Sequence, residues 1–357
     1  MRSRRAFGLI ILACILVGGG TPALAQQKPQ WMPGQMGLNA GILPSPGFTF
    51  VNLDINYDAS TFNGPNGNAV PVTGSYDVWA VENAFYYVLN RKVLGGNLGF
   101  MVMFPTFASG SLVADISNPQ FPDLNATAGG DGLADLWVQP LTLGWHLKRA
   151  DILVGDAFMV PTGRYSPGAT DNVGTGYFGN HVLAAVTFYI TKNKGTAASV
   201  FTDWEVHGSR DGTNGTSKTP GQAFTDEWGL GQTLPLKKDK SRLLQVGLIG
   251  YDQWQVADNG GTIPVANTGL TAPASLLPHY SVHAVGGQIN YVLPEKNFSL
   301  FLKYEHEYQS SSHTQGNTLV FGPAWTWRNP KPAPPTAKPT TAKPATAKPA
   351  TAKPSKP

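Results

Sequence analysis

Ionisable side chains stand at every second position in two short runs of the sequence. An extended chain places such residues on one face, with neighbours about 6–7 Å apart. A carboxylate beside a histidine at this spacing has the chemistry to activate a serine, as in a lipid hydrolase embedded in a membrane. The two runs are Asp203, Glu205 and His207, and Lys303, Glu305 and Glu307.

A second interpretation requires no reaction. Polar residues at alternate positions are typical of the water-filled interior of a β-barrel, because every second side chain faces inward. Charged groups that line a pore also determine which solutes pass. We favour this interpretation, include Asp54 among the lumen and selectivity candidates, and predict no catalytic residue.

Motifs for cofactors and metals are weak. Gly174–Gly179 matches GxGxxG, but a dinucleotide site needs a strand before the motif and a helix after it. His306-Glu307 lacks the second histidine of a zinc-binding helix, and the 7 histidines show no metal-ligand spacing. Cys14 is the only cysteine, which excludes disulfides and cysteine-bound zinc. We therefore predict no cofactor and no metal.

The elements that position the charged runs are strands. The clearest stretch runs from Val51 to Asp58, where apolar and polar residues alternate. Similar alternation continues through residues 47–327 and predicts about twelve strands, most of them long enough to cross a membrane at a tilt. The other strands are expected near 76–89, 97–105, 133–147, 152–161, 177–190, 199–207, 223–236, 242–256, 280–293, 298–305 and 316–327.

The connections between these strands alternate in length. Short polar turns are followed by long loops rich in Gly, Asn, Ser and Pro. This order is typical of a transmembrane antiparallel up-and-down β-barrel with both termini in the periplasm. A soluble β-sandwich is the alternative, but it has no reason to sort its loops by length. The long loops are predicted near 61–74, 106–130, 162–176, 208–222, 257–279 and 309–315.

The composition agrees with an all-β membrane protein. Charged residues make up 13% of the chain, against about 25% in soluble domains. After residue 25 we find no apolar run of the roughly 18 residues that a spanning helix needs. The barrel region carries more acidic than basic residues, so nucleic acid is not an expected partner.

The N-terminus has the pattern of a secretory signal peptide. Arg2, Arg4 and Arg5 precede an apolar stretch, and Ala23-Leu24-Ala25 forms a cleavage site. Residues 3–7 also resemble a twin-arginine signal, so the export route stays open. We assign 1–25 to the signal peptide and 26–46 to a periplasmic lead or a lumen plug.

The C-terminus combines a strand end with a repetitive tail. Gly322, Trp325 and Trp327 resemble the closing-strand signal that the barrel assembly machinery recognises, although here more chain follows. Residues 328–357 repeat TAKP and hold 7 basic residues and no acids. So much proline predicts a disordered, extended tail, either a periplasmic tether to peptidoglycan carboxylates or a spacer.

Two short motifs carry a family resemblance. Gly132-Leu133-Ala134-Asp135-Leu136 is followed by a proline and by Gly144-Trp145, and Pro161-Thr162-Gly163-Arg164-Tyr165 ends a strand. These stretches resemble the MetA-pathway phenol-degradation proteins over most of residues 40–327, with Ala134 where that family usually has Gly. The resemblance implies an outer-membrane barrel associated with uptake of aromatic or other hydrophobic compounds, and it brings no established catalytic residues.

The sequence therefore predicts a Gram-negative outer-membrane channel or transporter for small, hydrophobic or aromatic cargo, surrounded by outer-membrane lipid. Two alternatives stay open. One is a structural barrel tethered to the envelope by its basic tail, and the other is a membrane-embedded hydrolase that uses the inward Asp, Glu and His side chains. The sequence leaves open the cargo, the oligomeric state and whether the lumen is plugged.

Overall fold

The computed structural model describes residues 29–118, 121–264 and 269–328. The predicted signal peptide and the tail beyond Arg328 lie outside the described residues. The described chain is all-β apart from three 3₁₀ turns, at Thr213–Gly215, Ala274–Leu276 and Pro294–Lys296. None of its helical segments is long and apolar enough to cross a membrane.

Twelve strands form a closed antiparallel barrel. Neighbours along the chain are neighbours in the ring, and the first strand pairs with both the second and the last. This confirms the predicted up-and-down barrel. The ring consists of β1 (Gly47–Phe62), β2 (Val72–Val93), β3 (Gly96–Asn118), β5 (Leu136–His146), β6 (Ala150–Val160), β7 (Gly179–Tyr189), β8 (Thr196–His207), β11 (Ala223–Pro235), β12 (Leu243–Gln255), β15 (Ser281–Leu293), β16 (Phe298–Ser311) and β17 (Thr314–Arg328).

The five remaining strands belong to the long loops. The predicted loop at 106–130 is instead a hairpin, in which the second half of β3 pairs with β4 (Phe121–Gly132). The second half of β3 is itself extended because it pairs with β2, which is 22 residues long, and the Gly-rich β4 then pairs with this half of β3. The other loop strands pair with one another in a small sheet. They are β9 (Arg210–Asp211), β10 (Ser217–Thr219), β13 (Gly260–Pro264) and β14 (Thr271–Pro273).

The two ends of the barrel differ. Gly47, where β1 begins, pairs with Arg328 and with Val88, so the first and last barrel residues lie at one end. The short turns lie at this same end because the strands are antiparallel and consecutive. We call it the turn end, and we call the opposite end, with the hairpin β3–β4 and the small sheet, the loop end.

The outer face of the barrel is apolar. Trp204 and Leu302 are 45% and 48% exposed, while their polar neighbours along β8 and β16 are buried inside. β1 reverses the expected pattern, because Leu53 and Ile55 face inward and are buried. Asp54 lies on the outer face, where its Oδ1 accepts a hydrogen bond of 2.8 Å from Nε1 of Trp79. The assignment of Asp54 to the lumen is therefore corrected, because the interior beside β1 is packed with apolar side chains rather than water.

Candidate functional site in the barrel lumen

The chain that precedes β1 lies inside the barrel. We call residues 29–46 the lumen segment. Near the loop end, Nε2 of Gln30 donates to the carbonyl oxygen of Tyr177, at 2.9 Å. Near the turn end, the backbone N–H of Gly41 donates to Oγ1 of Thr187, at 3.0 Å. The segment therefore runs along the lumen from one end of the barrel to the other before β1 begins at Gly47.

Glu205, one of the candidates on β8, contacts the segment directly. It is fully buried. Its Oε2 accepts a 2.8 Å hydrogen bond from the backbone N–H of Gln30, and its Oε1 accepts a 3.2 Å bond from that of Trp31. Nε2 of His207 lies 3.0 Å from Oε2 of the same carboxylate, and Nδ1 of His207 lies 3.0 Å from the carbonyl oxygen of Gly221. The pair thus holds the segment at its loop end.

Asp203 contacts a residue that the sequence analysis missed. Its Oδ2 lies 2.8 Å from Nδ1 of His181 on β7, and both side chains are fully buried. His181 pairs in register with Glu205. The signal for His181 was its place on the same strand face as Leu183 and Ala185, where a histidine among apolar residues marks an inward site.

Glu227 on β11 is a second residue that the sequence analysis missed. It accepts 2.7 Å hydrogen bonds from Nε1 of Trp31 and from the backbone N–H of Met36. Its neighbour Asp226 is also acidic, so no alternation of charge distinguishes the inward residue from the outward one. The alternation of Thr225, Glu227 and Gly229 was the available signal.

The candidates on β16 hold the middle of the segment. Nζ of Lys303 donates to the carbonyl oxygens of Gly34, Gln35 and Met36. Glu305 lies against Gly34, where an added Cβ would be 2.6 Å from its Oε2. Gly34 also has a φ of +92°, a conformation that residues with a Cβ rarely adopt. Glycine therefore suits this position between Lys303 and Glu305, chiefly because of its backbone conformation.

Glu307 binds wall residues rather than the segment. Its carboxylate accepts hydrogen bonds from the hydroxyls of Tyr57 and Tyr251, at 2.9 and 2.8 Å, and from the backbone N–H of Gly316, at 2.6 Å. These bonds fix two tyrosines that lie two strands away from β16 on either side. Of the predicted lumen residues, six thus lie inside the barrel and Asp54 lies outside it.

A cavity of about 280 Å³ opens beside the loop end of the lumen segment. Aromatic rings from the segment, from β1, from β12 and from the loops line it, and Arg210 and Glu307 are its charged lining residues. The ring of Trp31, which borders the cavity, packs between Trp137 and Phe201 with centroid distances of 5.3 Å to each. Aromatic lining residues include Trp31, Tyr57, Tyr76, Tyr177 and Tyr251.

The family-like motifs meet at one buried carboxylate beside this cavity. Asp135 accepts hydrogen bonds from the backbone N–H of Gly163, at 2.9 Å, and from the backbone N–H and hydroxyl of Thr175, at 2.7 and 2.6 Å. It therefore fastens the loop between β6 and β7, which contributes Thr175 to the cavity. The GxGxxG stretch belongs to this loop and is followed by β7, not by a helix.

The closing-strand residues lie on the outer face at the turn end. Trp325 and Trp327 are exposed and stack with ring centroids 4.8 Å apart, and Phe48 lies 5.5 Å from Trp327. Gly322 packs against the neighbouring strand so closely that a Cβ would lie 1.8 Å from the carbonyl oxygen of Asn52. The tryptophans form part of an aromatic belt of the kind found where a barrel meets the membrane surface.

A closed barrel with an apolar exterior, an aromatic belt and a polar, occupied lumen defines the class of outer-membrane β-barrels. Within it, the chain belongs to the family described as "Putative MetA-pathway of phenol degradation", whose model matches residues 59–321. No curated protein sequence matches the chain.

Solved structures share the fold at low sequence identity. The COG4313 outer membrane channel from Pseudomonas putida F1 is 13% identical, with a TM-score of 0.61 over 84% of this chain and 100% of that one. The β domain of the Bordetella autotransporter BrkA is 10% identical, with a TM-score of 0.44 over 79% and 100%. A mutant of the monoaromatic hydrocarbon channel TodX is 8% identical, with a TM-score of 0.38 over 82% and 93%. The last two similarities are too weak to support an argument about function.

Proposed function

We propose that this protein is an outer-membrane channel for small hydrophobic or aromatic compounds and that its lumen segment is a movable plug. The observation that carries the proposal is the aromatic cavity, which lies inside the barrel and borders the segment at Trp31. A compound bound there occupies the transport path directly above the plug.

The cavity matches a small, largely apolar ligand. Its volume of about 280 Å³ lies just below the range of about 300–1,000 Å³ typical of pockets for drug-sized molecules. Tyrosine and tryptophan rings offer stacking surfaces for an aromatic ring. Glu307 and Arg210 supply an acceptor and a donor for a hydroxyl group or another polar substituent.

The plug is held by hydrogen bonds that can be exchanged for bonds to water. Side chains of the barrel accept from or donate to backbone groups of Gln30, Trp31, Leu38, Asn39 and Gly41. Each such bond contributes about 0.5–1.5 kcal/mol net, because water replaces the lost partner when the lumen fills. Opening of the channel is then a displacement of the segment with the barrel wall intact.

We infer the orientation of the barrel in the outer membrane from the difference between its turn end and its loop end. The apolar exterior belongs in the lipid of the outer membrane, and short turns are typical of the periplasmic side. The tail after Arg328 then begins in the periplasm, where its basic repeat can contact peptidoglycan. The exposed aromatic end of β17 is the part that the barrel assembly machinery would recognise.

The hydrolase alternative is less well supported by the geometry. Both ring nitrogens of His207 are within hydrogen-bond distance of Glu205 or Gly221, and both oxygens of Glu205 accept from the backbone of the segment. These groups are arranged to hold a chain, not to activate a nucleophile.

The proposal is tested by filling the cavity. Thr170→Trp places a large ring at a cavity-lining loop position, and Ser166→Trp places the same ring on the same loop outside the lining. We expect phenol or toluene to enter proteoliposomes containing the wild type and Ser166→Trp, and much more slowly those containing Thr170→Trp. Equal uptake by the two variants, or no uptake by the wild type, would overturn the proposal.

A further inference from the structure

The loop end of the lumen segment rests on a cluster of buried groups whose hydrogen bonds are incomplete. His181, Asp203 and Glu205 each place a possible ligand atom within 4.8 Å of the others. All three side chains are fully buried and face the lumen from the neighbouring strands β7 and β8. Gln30 of the segment lies directly on them through its bond to Glu205.

Several atoms of this cluster lack a partner within the described part of the chain. They are Nε2 of His181, Oδ1 of Asp203 and Oε1 of Gln30. A Cβ added to Gly179 would lie 1.7 Å from Oε1 of Gln30 and 3.3 Å from Nε2 of His181, so these two atoms border the same point. Buried polar atoms without a partner are uncommon in proteins and call for a missing group.

The unpartnered atoms share one chemical property. The unpartnered oxygens of Asp203 and Gln30 can accept hydrogen bonds but cannot donate them. Nδ1 of His181 faces the Asp203 carboxylate, which selects the tautomer with the proton on Nδ1 and leaves Nε2 as an acceptor. An imidazole that donates one N–H to a carboxylate and presents its other nitrogen is the usual arrangement of a metal-bound histidine. A cation at Nε2 of His181 satisfies this nitrogen and the nearby Oε1 of Gln30, while Asp203, on the Nδ1 side of the ring, holds the imidazole in place.

The negative charge of the cluster also favours a bound cation. The ion-pair partners of Asp203 and Glu205 in the described residues are the histidines His181 and His207, which are neutral unless protonated. Two buried carboxylates need compensating charge. A divalent cation supplies it, and a nitrogen ligand with carboxylate oxygens suits Zn²⁺ and related transition metals better than Mg²⁺ or Ca²⁺.

We propose that His181, Glu205 and Gln30 form a binding site for a divalent transition metal of the Zn²⁺ class, with Asp203 as the residue that orients the imidazole of His181. The site joins the barrel wall to the lumen segment, so metal binding stabilises the seated segment. It does not depend on the channel function, because the ligand set exists whatever the barrel transports.

Zinc binding to the full-length protein in detergent micelles tests the proposal. After treatment with a chelator, we expect the wild type to bind about one Zn²⁺ per chain in calorimetry and to give a visible Co²⁺ absorption band. His181→Gln and Asp203→Asn should weaken binding by about 10–100-fold. His283→Gln is the matched control, because Nδ1 of His283 also pairs across strands with an aspartate, Asp252, at 2.6 Å, and it should bind like the wild type.

Folding of each variant is checked by its heat-modifiable mobility on a gel. If His181→Gln fails to fold, the nearly isosteric Asp203→Asn and the segment variant Gln30→Ala decide the question. Absence of Zn²⁺ binding by the wild type, unchanged binding by the folded ligand variants, or a preference for Ca²⁺ over Zn²⁺ would each overturn the proposal.

Discussion

The lumen has two walls that contact the same segment with different chemistry. Strands β7, β8, β11, β12, β15 and β16 form a polar wall, whose side chains hydrogen-bond to backbone groups of the segment. Strands β1, β2, β3 and β5 form the other wall, which we call the apolar wall because apolar side chains predominate there, although Glu82 and Gln139 are also buried in it. It packs against segment side chains such as Trp31 and Leu43. Buried residues of the apolar wall include Leu53, Ile55, Ala80, Ala84, Met101, Met103 and Trp137.

The two walls have different roles: the polar wall fixes the position of the segment, and the apolar wall fills the space around it. Hydrogen bonds are directional and lose most of their strength when the geometry is wrong, so the polar wall sets where each segment residue lies. Apolar contacts tolerate small shifts and scale with the buried area, so the apolar wall mainly excludes water. Disruption of the polar wall should therefore release the segment, whereas trimming of the apolar wall should only loosen the packing.

Release of the segment can be measured with a single cysteine. Cys14, the one natural cysteine, lies in the predicted signal peptide, so we expect none in the processed protein. Ala40→Cys introduces a thiol at a buried position of the segment. Its rate of reaction with a water-soluble maleimide reports how often the segment leaves its place.

The largest effect is expected for Glu227→Leu. This change leaves Nε1 of Trp31 and the N–H of Met36 without their acceptor and removes a carboxylate close to the ammonium of Lys303. Loss of one member of a buried charge pair costs about 3–5 kcal/mol. Maleimide labelling should therefore become much faster. Glu295→Gln, in an exposed turn, is the control, and equal labelling in the two variants would show that the polar wall does not hold the segment.

Gly34→Ala should have the next largest effect. Alanine combines a positive φ with a Cβ placed against Glu305, and such backbone strain costs about 1–3 kcal/mol. Gly215→Ala is the control for a glycine with positive φ outside the segment, because Gly215 has a φ of +71° and no atom within 4 Å of an added Cβ. Faster labelling is expected with Gly34→Ala alone. A similar rate in both variants would show that Gly34 does not help to seat the segment.

Thr187→Val tests one hydroxyl of the polar wall. Oγ1 of Thr187 accepts from the N–H of Gly41 and also lies 3.2 Å from Oγ of Ser199 within the wall. Loss of the bond to the segment costs about 1 kcal/mol, which is about a fivefold change in the release equilibrium. Thr202→Val on the neighbouring strand is the matched control, because its hydroxyl donates to a carbonyl on the exposed side of the wall. If both variants are labelled as slowly as the Ala40→Cys parent, the hydroxyl of Thr187 does not stabilise the seated segment.

The sequence predicts the barrel better than it predicts the contents of the barrel. Alternation and loop length depend on local residues, and both anticipated the ring of strands. Alternation defines two faces, however, and it does not say which face is inside. For β1 the usual assumption of a wet lumen gave the wrong face for Asp54, because Trp31 and Leu43 make the interior apolar there.

The residues that hold the segment were only partly predictable. Glu205 and Lys303 stood out because charge repeats at alternate positions, whereas Glu227 is masked by Asp226 beside it. His181 is the one charged or histidine residue of β7. Its role becomes clear only from its contact with Asp203 on the next strand. Contacts between residues more than 100 positions apart, such as that of Gln30 with Glu205, depend on how the segment threads the closed barrel, which no local pattern encodes.

The smallest effect on release is expected for Ile55→Val in the apolar wall. Ile55 is fully buried in the cluster that contains Trp31 and Leu43, so removal of one methylene should lower the free energy of unfolding by about 0.5–1.5 kcal/mol. The labelling rate of Ala40→Cys should nevertheless stay close to that of the parent, because every hydrogen bond to the segment remains. Ile289→Val, on the exposed face, controls for loss of the same group towards lipid. If Ile55→Val accelerates labelling as much as Thr187→Val does, the two walls hold the segment equally, and the separation of position from volume is wrong.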